Sequence, residues 1–83
     1  MMSRYHPLRD HLLRVNVSRW KAAFAEIEDI LGGPLPASAY KYPAWWSNET
    51  VGNHVQKQGW MGAGYRTVEL DLARRTVTFV KSG

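Results

Sequence analysis

The chain has 83 residues, no cysteine and a formal net charge of +4 at pH 7. This length predicts one domain (residues 1–83) with a small core, and the absence of cysteine excludes a disulfide scaffold and a cysteine-based zinc site. No apolar run approaches the roughly 20 residues of a membrane span, and the N-terminus lacks the apolar stretch of a signal peptide. We therefore expect a cytoplasmic protein that does not associate with a membrane, and whose positive charge favours polyanionic partners.

The N-terminal third predicts two helices. The first covers Pro7–Arg14, because proline suits a first helical turn and an apolar face recurs at helical spacing in Leu8, His11, Leu12 and Val15. Residues 15–17 are compatible with a short strand or a connector. Ser18 would cap a second helix beginning at Arg19, with its body over Ala22–Leu31 and an apolar face formed by Trp20, Ala23, Phe24, Ile27 and Leu31. Gly32-Gly33-Pro34 ends this helix.

The rest of the chain predicts short helices followed by a β-hairpin. A short helix is expected over Leu35–Lys41, and Pro43 disfavours helix at the preceding residue. Glu49–Gln58 is weakly helical, since two glycines flank or interrupt it. Residues 62–64 form a turn. Apolar alternation then predicts strands over Tyr65–Leu72 and Thr76–Lys81, joined by Ala73-Arg74-Arg75.

This order of elements predicts an α+β, winged-helix-like domain in which helices precede a C-terminal hairpin. A short strand within residues 15–17 or 20–24 would pair with the hairpin. The predicted core consists of Trp20, Phe24, Ile27, Leu31, Val68, Leu70, Val77 and Phe79.

Three of the four tryptophans fall within sixteen residues, beside an amide and an imidazole. They are Trp45, Trp46 and Trp60, with Asn48 and His54 between them. Neighbouring side chains diverge by about 100° on a helix and about 180° on a strand, so Trp45 and Trp46 are not expected to face one core together. At least one of them is expected at the edge of the core or on the surface, where indoles stack on flat ligands. The alternative for every tryptophan is a place in the core, so the choice between core and binding surface stays open for Trp45, Trp46 and Trp60.

Several segments resemble a family of small bacterial and phage domains of uncharacterised function. The matching segments span nearly the whole chain: Tyr5-x-Pro7-Leu8-x-x-x-Leu12, Phe24-Ala25-Glu26-Ile27-Glu28-x-Ile30-Leu31-Gly32, Leu35-Pro36-x-Ser38-Ala39, Trp45-Trp46-x-Asn48, His54 and Trp60-x-x-Ala63-Gly64-Tyr65. The resemblance implies a shared fold and no particular activity. One departure is Ala23, where relatives carry Thr or Ser as the cap of the helix that begins with the Phe. This departure predicts a helix start shifted toward Ser18.

The function predicted from these residues is non-catalytic binding of nucleic acid, with duplex DNA preferred. The second helix of a helix-turn-helix enters the major groove, and cations at a hairpin tip meet the phosphate backbone. The predicted contact residues are Ser38, Tyr40, Lys41, Trp45, Trp46, Asn48, His54, Arg66, Arg74 and Arg75. Asn48 would read adenine, while its alternative role is a helix cap. For Tyr40 the alternative is packing against the hairpin.

Two other functions use the same residues. Trp45, Trp46 and Trp60 would wall an aromatic pocket for a nucleotide or a modified base, or exposed aromatic and arginine side chains would bind a protein partner as a small inhibitor or regulator, such as a phage anti-defence protein. Catalysis is not predicted, because the chain has no nucleophile motif and no phosphate-binding glycine loop. The three histidines lack a tight ligand pair, so neither a metal nor another cofactor is expected. The oligomeric state is not determined by these patterns.

Overall fold

The computed structural model of the chain describes residues 4–48 and 55–82. Within them the helices and strands are α1 (His6–Val15), β1 (Arg19–Ala23), α2 (Phe24–Leu31), α3 (Ala37–Lys41), β2 (Tyr65–Asp71) and β3 (Thr76–Lys81). Three short 3-10 helices cover Pro43–Trp46, Val55–Gly59 and Met61–Ala63. The predicted α+β class, with helices followed by a C-terminal hairpin, is confirmed.

The three strands form one antiparallel sheet in the order β1-β3-β2. The expected strand that pairs with the hairpin is β1, whereas Val15 ends α1 and residues 16–17 form a connector. The predictions that a helix begins at Arg19 and that its body includes Ala22 and Ala23 are therefore wrong. Apolar Trp20 and Ala22 turn toward the core, and Arg19 and Lys21 remain exposed between them, which is the alternation of a half-buried strand.

Helix α2 begins at Phe24 although Ala23 has no side chain that can cap it. The backbone N–H of Ala23 donates to Glu26 Oε1 at 2.9 Å, which is the glutamate half of a capping box. The N–H of Phe24 donates to the carbonyl oxygen of Arg75 at 2.9 Å. The predicted shift of the helix start toward Ser18 is wrong, because the hairpin supplies an acceptor at this helix end.

The core lies between the inner face of the sheet and the helices. Four of the predicted core residues are buried, namely Phe24, Ile27, Val77 and Phe79, while Trp20, Leu31 and Leu70 pack against them half-buried. The prediction that Val68 is a core residue is wrong. It follows the buried Thr67 on the strand and so lies on the outer face of the sheet. The core also contains residues absent from the prediction: Tyr5, Leu8, Leu12, Ala22, Leu35, Ala39, Trp46, Trp60, Ala63 and Tyr65.

An irregularity near the hairpin tip shortens the regular pairing of β2 with β3. The register shifts by one residue between Val68 and Asp71, and Glu69 has a φ of 50°. A residue in this left-handed region is typical of a β-bulge. The carboxylate of Glu69 reaches across the sheet to Arg19 on β1, at 2.5 Å from Nη2.

The outer edge of β2 is closed by groups that are not a strand. Asn48 Nδ2 donates to the carbonyl oxygen of Thr67 at 2.8 Å, and the N–H of Thr67 donates to Asn48 Oδ1 at 2.8 Å. The N–H of Tyr65 donates to the carbonyl oxygen of Trp60 at 2.9 Å. One amide side chain therefore satisfies both backbone groups of Thr67, as a neighbouring strand would.

The connecting segments agree in part with the sequence prediction. The short helix predicted over Leu35–Lys41 is α3. The predicted turn at residues 62–64 overlaps the 3-10 helix Met61–Ala63 and ends at Gly64, which has a φ of 81°. The weakly predicted helix over Glu49–Gln58 lies partly outside the described residues. Its described end, Val55–Gly59, is a 3-10 helix.

Replacement of Ala23 by Ser should stabilise the protein. A serine hydroxyl at this N-cap accepts a hydrogen bond from the third helical N–H, and such caps contribute about 0.5–2 kcal/mol. We expect an increase of this order in the free energy of unfolding, measured by urea denaturation. Ala25→Ser is the matched control, because Ala25 is exposed within the same helix and has no cap geometry. Equal stability of the two variants would contradict the capping role.

Candidate functional site

Glu28 fixes the position of α3 on α2. Its Oε2 accepts hydrogen bonds from the backbone N–H of Leu35 and from the hydroxyl of Tyr40, both at 2.8 Å. The first bond holds the connection between the helices, and the second holds α3 itself. A single carboxylate thus sets the geometry of the helix-turn-helix segment.

The hairpin turn lies against α3. The guanidinium of Arg75 lies over the ring of Tyr40, 5.3 Å from its centroid, and the Tyr40 ring meets Phe24 edge-on at 5.2 Å. Arg75 has a φ of 57°, so the residue that carries this side chain adopts a left-handed backbone conformation in the turn. Two predicted contact residues from distant parts of the sequence, Tyr40 and Arg75, are therefore in contact.

The same contacts favour the neutral form of Tyr40. Burial of the hydroxyl raises the pKa of Tyr40, as do its hydrogen bond to Glu28 and the negative charge of Glu28, while Arg75 acts in the opposite direction. The neutral phenol donates its hydrogen bond to Glu28. The alternative role of Tyr40, packing against the hairpin, is the one observed.

Helix α3 presents its polar residues away from the core. Ala39 is buried, whereas Ser38 and Lys41 are exposed and are three residues apart, on neighbouring positions of one helix face. Tyr42 follows with 59% of its surface exposed. Arg74, on the hairpin turn that lies against α3, is also exposed. We name the exposed side chains of this helix, of the residue after it and of the turn the α3–turn face; they are Ser38, Lys41, Tyr42, Arg74 and Arg75.

Arg66 does not belong to the α3–turn face. It lies on β2, exposed on the outer face of the sheet, and its partner across the sheet is Val80, which in turn faces Arg19 on β1. This row is near the end of β3 that is opposite the hairpin turn. Arg66 and the turn arginines are therefore on separate parts of the surface.

The structure corrects the assignment of the tryptophans. Trp46 is 2% exposed and Trp60 is fully buried. The Trp46 ring stacks between Phe24, at 4.8 Å, and Trp60, at 5.7 Å, and its Nε1 donates to the carbonyl oxygen of Ala39 at 2.9 Å. Trp46 is a core residue and not part of an exposed recognition surface.

Trp45 is the half-buried member of the pair. Its ring meets Trp46 edge-on at 4.6 Å and Tyr5 edge-on at 5.9 Å. The expectation that adjacent tryptophans divide between the core and its edge is confirmed by these two exposures. Trp60 Nε1 is buried, and no described residue accepts a hydrogen bond from it.

Asn48 pairs with the sheet edge. Both polar atoms of its side chain bond to the backbone of Thr67, whereas the helix that it was expected to cap begins outside the described residues. The predicted contact residue His54 lies outside the described residues. Of the predicted residues, the structure brings Tyr40 and Arg75 into contact. Ser38 and Lys41 lie on the same helix as Tyr40, and Arg74 precedes Arg75 in the turn.

Sequence reasoning did not identify Glu28 or Thr67 as residues that organise this region. Glu28 is separated by twelve positions from Tyr40, and Thr67 by nineteen from Asn48. No local spacing rule links such pairs.

Within residues 4–48 and 55–82, no three His, Asp or Glu side chains are grouped so as to hold a metal ion, and none of the described helices has the length and apolar character of a membrane span.

Replacement of Trp46 by Ala should destabilise the fold severely. The change removes a fully packed indole, which costs about 3–5 kcal/mol, together with its hydrogen bond to Ala39. Trp45→Ala is the matched control and should cost less, because its side chain is only half-buried. Urea unfolding monitored by methyl NMR signals measures both. A Trp46→Ala protein as stable as Trp45→Ala would show that Trp46 is not a core residue.

Comparison with known proteins assigns the chain to a family. No curated protein and no solved structure gives a significant match. A family model described as "Domain of unknown function (DUF7662)" matches residues 5–83, which is nearly the whole chain. The chain belongs to this family.

Proposed function

We propose that the protein is a non-catalytic, winged-helix-like binder of nucleic acid, with duplex DNA as the preferred ligand, and that the α3–turn face is its contact surface. The observation that carries this proposal is the seating of Arg75 over Tyr40. It joins the hairpin turn to α3, the two elements that a winged helix-turn-helix would use on DNA. The order of elements and the pairing of β1 with β3 support the same proposal.

The charges on the α3–turn face suit phosphate contacts. Lys41 has no carboxylate partner among the described residues, and the Arg74 side chain, 82% exposed, makes only a 3.9 Å contact with Asp71. Cations that are exposed and weakly paired release counterions when they meet a phosphate backbone. Lys41 and Arg74 are therefore the proposed phosphate contacts.

The length of α3 limits how much sequence it can read. Five residues span about 7.5 Å of helix axis, so one turn is available to the major groove. Ser38 and Tyr42 are the side chains placed to reach base edges. The proposal therefore assigns most of the affinity to phosphates and only a weak sequence preference to the protein.

The alternative of an aromatic pocket for a nucleotide gains no support from the described residues. Trp46 and Trp60, two of the three indoles that such a pocket needs, are buried against each other and against Phe24 or Phe79. A ligand cannot use their faces without displacing core contacts. The arrangement of the α3–turn face does not bear on the alternative that the protein binds a protein partner.

Titration of the protein into a fluorescently labelled random-sequence duplex, followed by anisotropy at several salt concentrations, tests the proposal. We expect binding with an association constant whose logarithm falls linearly with the logarithm of the salt concentration. Absence of binding at low salt would reject it. Equal affinity for single-stranded DNA or for duplex RNA would reject the preference for duplex DNA.

Charge removal at the α3–turn face should reduce the salt dependence. The double variant Lys41→Gln and Arg74→Gln loses two proposed phosphate contacts, so the slope should decrease in magnitude by about 2. Arg75 is retained because its packing on Tyr40 supports the fold.

A matched control removes two cations at the other end of the molecule. Lys81 donates a hydrogen bond to Asn16 just beyond α1, and Arg14 is exposed in the last turn of α1, at the end of β3 opposite the hairpin turn. Arg14→Gln with Lys81→Gln changes the net charge equally, and we expect the slope to stay near that of the original protein. Equal losses in the two double variants would contradict the assignment of the α3–turn face.

A further inference from the structure

The two edges of the sheet differ in how their backbone groups are satisfied. On the β2 edge, Asn48 pairs with Thr67 and the Trp60 carbonyl accepts the N–H of Tyr65. On the opposite edge lies β1, whose only strand neighbour in the described part of the chain is β3. An edge strand with unpaired N–H and C=O groups is a template for another strand.

The hydrogen bonds at both ends of β1 fix which residues face outward. The N–H of Lys81 donates to the carbonyl oxygen of Ser18, and the N–H of Phe24 donates to that of Arg75, both at 2.9 Å. Since alternate residues of an antiparallel strand bond to the same neighbour, Trp20 and Ala22 also bond toward β3. The backbone groups of Arg19 and Lys21 therefore point away from the sheet, and within the described part of the chain no other residue pairs with them.

The surface beside this edge is cationic and partly apolar. The side chains of Arg19 and Lys21 are exposed on the outer face of the sheet. Arg19 is bonded to Glu69, whereas Lys21 contacts no carboxylate among the described residues. The segment that leads into β1 contributes an exposed apolar side chain, Val17, which is 41% exposed.

We propose that the β1 edge accepts an extended acidic polypeptide segment as a fourth strand. Its backbone would pair with the N–H and C=O groups of Arg19 and Lys21, as in β-strand addition. Its acidic side chains would lie opposite Lys21, the cation of this edge that contacts no described carboxylate, where cross-strand pairs of opposite charge are favourable. This inference is independent of the proposed nucleic-acid contact, which uses α3 and the hairpin turn.

The charge of the edge distinguishes among occupants. Pairing with β1 of a second copy in a symmetric antiparallel arrangement places Arg19 and Lys21 against the same cations of the other copy, and like charges directly opposite each other destabilise a sheet. An acidic strand replaces that repulsion by attraction. The edge is therefore selective for acidic segments and resists pairing between copies of the chain.

Amide hydrogen exchange measured by NMR tests the proposal with a defined probe. The probe is a short synthetic peptide of alternating glutamate and valine. Its controls are the same peptide with alternate backbone amides methylated, which removes donors and keeps the charge, and a lysine–valine peptide. Without peptide, the amides of Arg19 and Lys21 should exchange faster than those of Trp20 and Ala22.

Binding as a fourth strand should protect those two amides selectively. At a free peptide concentration of about ten times Kd, exchange at Arg19 and Lys21 should slow about tenfold, because only the unbound fraction exchanges. The methylated and lysine-containing peptides should give no such protection. Protection by the methylated peptide as strong as by its parent, protection confined to Thr67, or no protection at saturating peptide would each overturn the proposal. Protection by a short DNA duplex in place of the peptide would also overturn it.

Two variants separate backbone pairing from simple charge attraction. Lys21→Ala removes the cation and keeps the outward N–H, whereas Lys21→Pro removes both without taking a donor from the β1–β3 ladder. We expect Lys21→Pro to bind the acidic peptide more weakly than Lys21→Ala, with exchange at β3 amides confirming that each variant is folded. Equal affinities of the two variants for the acidic peptide would overturn the proposed backbone pairing. If Lys21→Pro does not fold, the comparison of the parent and methylated peptides decides the question.

Discussion

The fold depends on the stacking of Trp46 between Phe24 and Trp60. Phe24 opens α2 and Trp60 immediately precedes the turn into β2, so the three rings connect the helical part of the chain to the sheet. The polar groups of Trp46 strengthen the same junction: its indole donates to Ala39 on α3, and its carbonyl oxygen accepts a hydrogen bond from the Thr67 hydroxyl on β2. In a chain this short, one buried indole serves several interfaces at once.

The α3–turn face is a consequence of that junction. Once Trp46 holds Ala39, the opposite positions of α3 must face solvent, and Glu28 together with Arg75 orients Tyr40 along the boundary. Glu28 supports this face from within: it is half-buried and accepts two hydrogen bonds, which stabilise its charge. A second carboxylate, Asp71, has its Oδ2 3.9 Å from Arg74 Nε.

The sequence was sufficient for the fold class and for elements whose periodicity is local. Helix α1, the hairpin and the end of α2 at Gly32 follow from spacing and from turn residues. The boundary between β1 and α2 does not follow from such local patterns. Trp20, Ala23, Phe24 and Ile27 also fit one face of a helix. Only pairing with β3, across more than fifty residues, selects the strand. Long-range pairing also decided the roles of candidate site residues. Trp46 and Asn48 are residue types that binding surfaces often contain. Here Trp46 stacks on Phe24 and Trp60, and Asn48 bonds to Thr67.

The contact between tryptophans has a consequence for optical measurements. The rings of Trp45, Trp46 and Trp60 have centroids between 4.6 and 6.1 Å apart, close enough for their electronic transitions to couple. Coupled indoles contribute circular dichroism bands of their own in the ultraviolet region used to assess helices. The spectrum of this protein will therefore report aromatic packing as well as backbone structure, and loss of the stack would change it even where every helix persists.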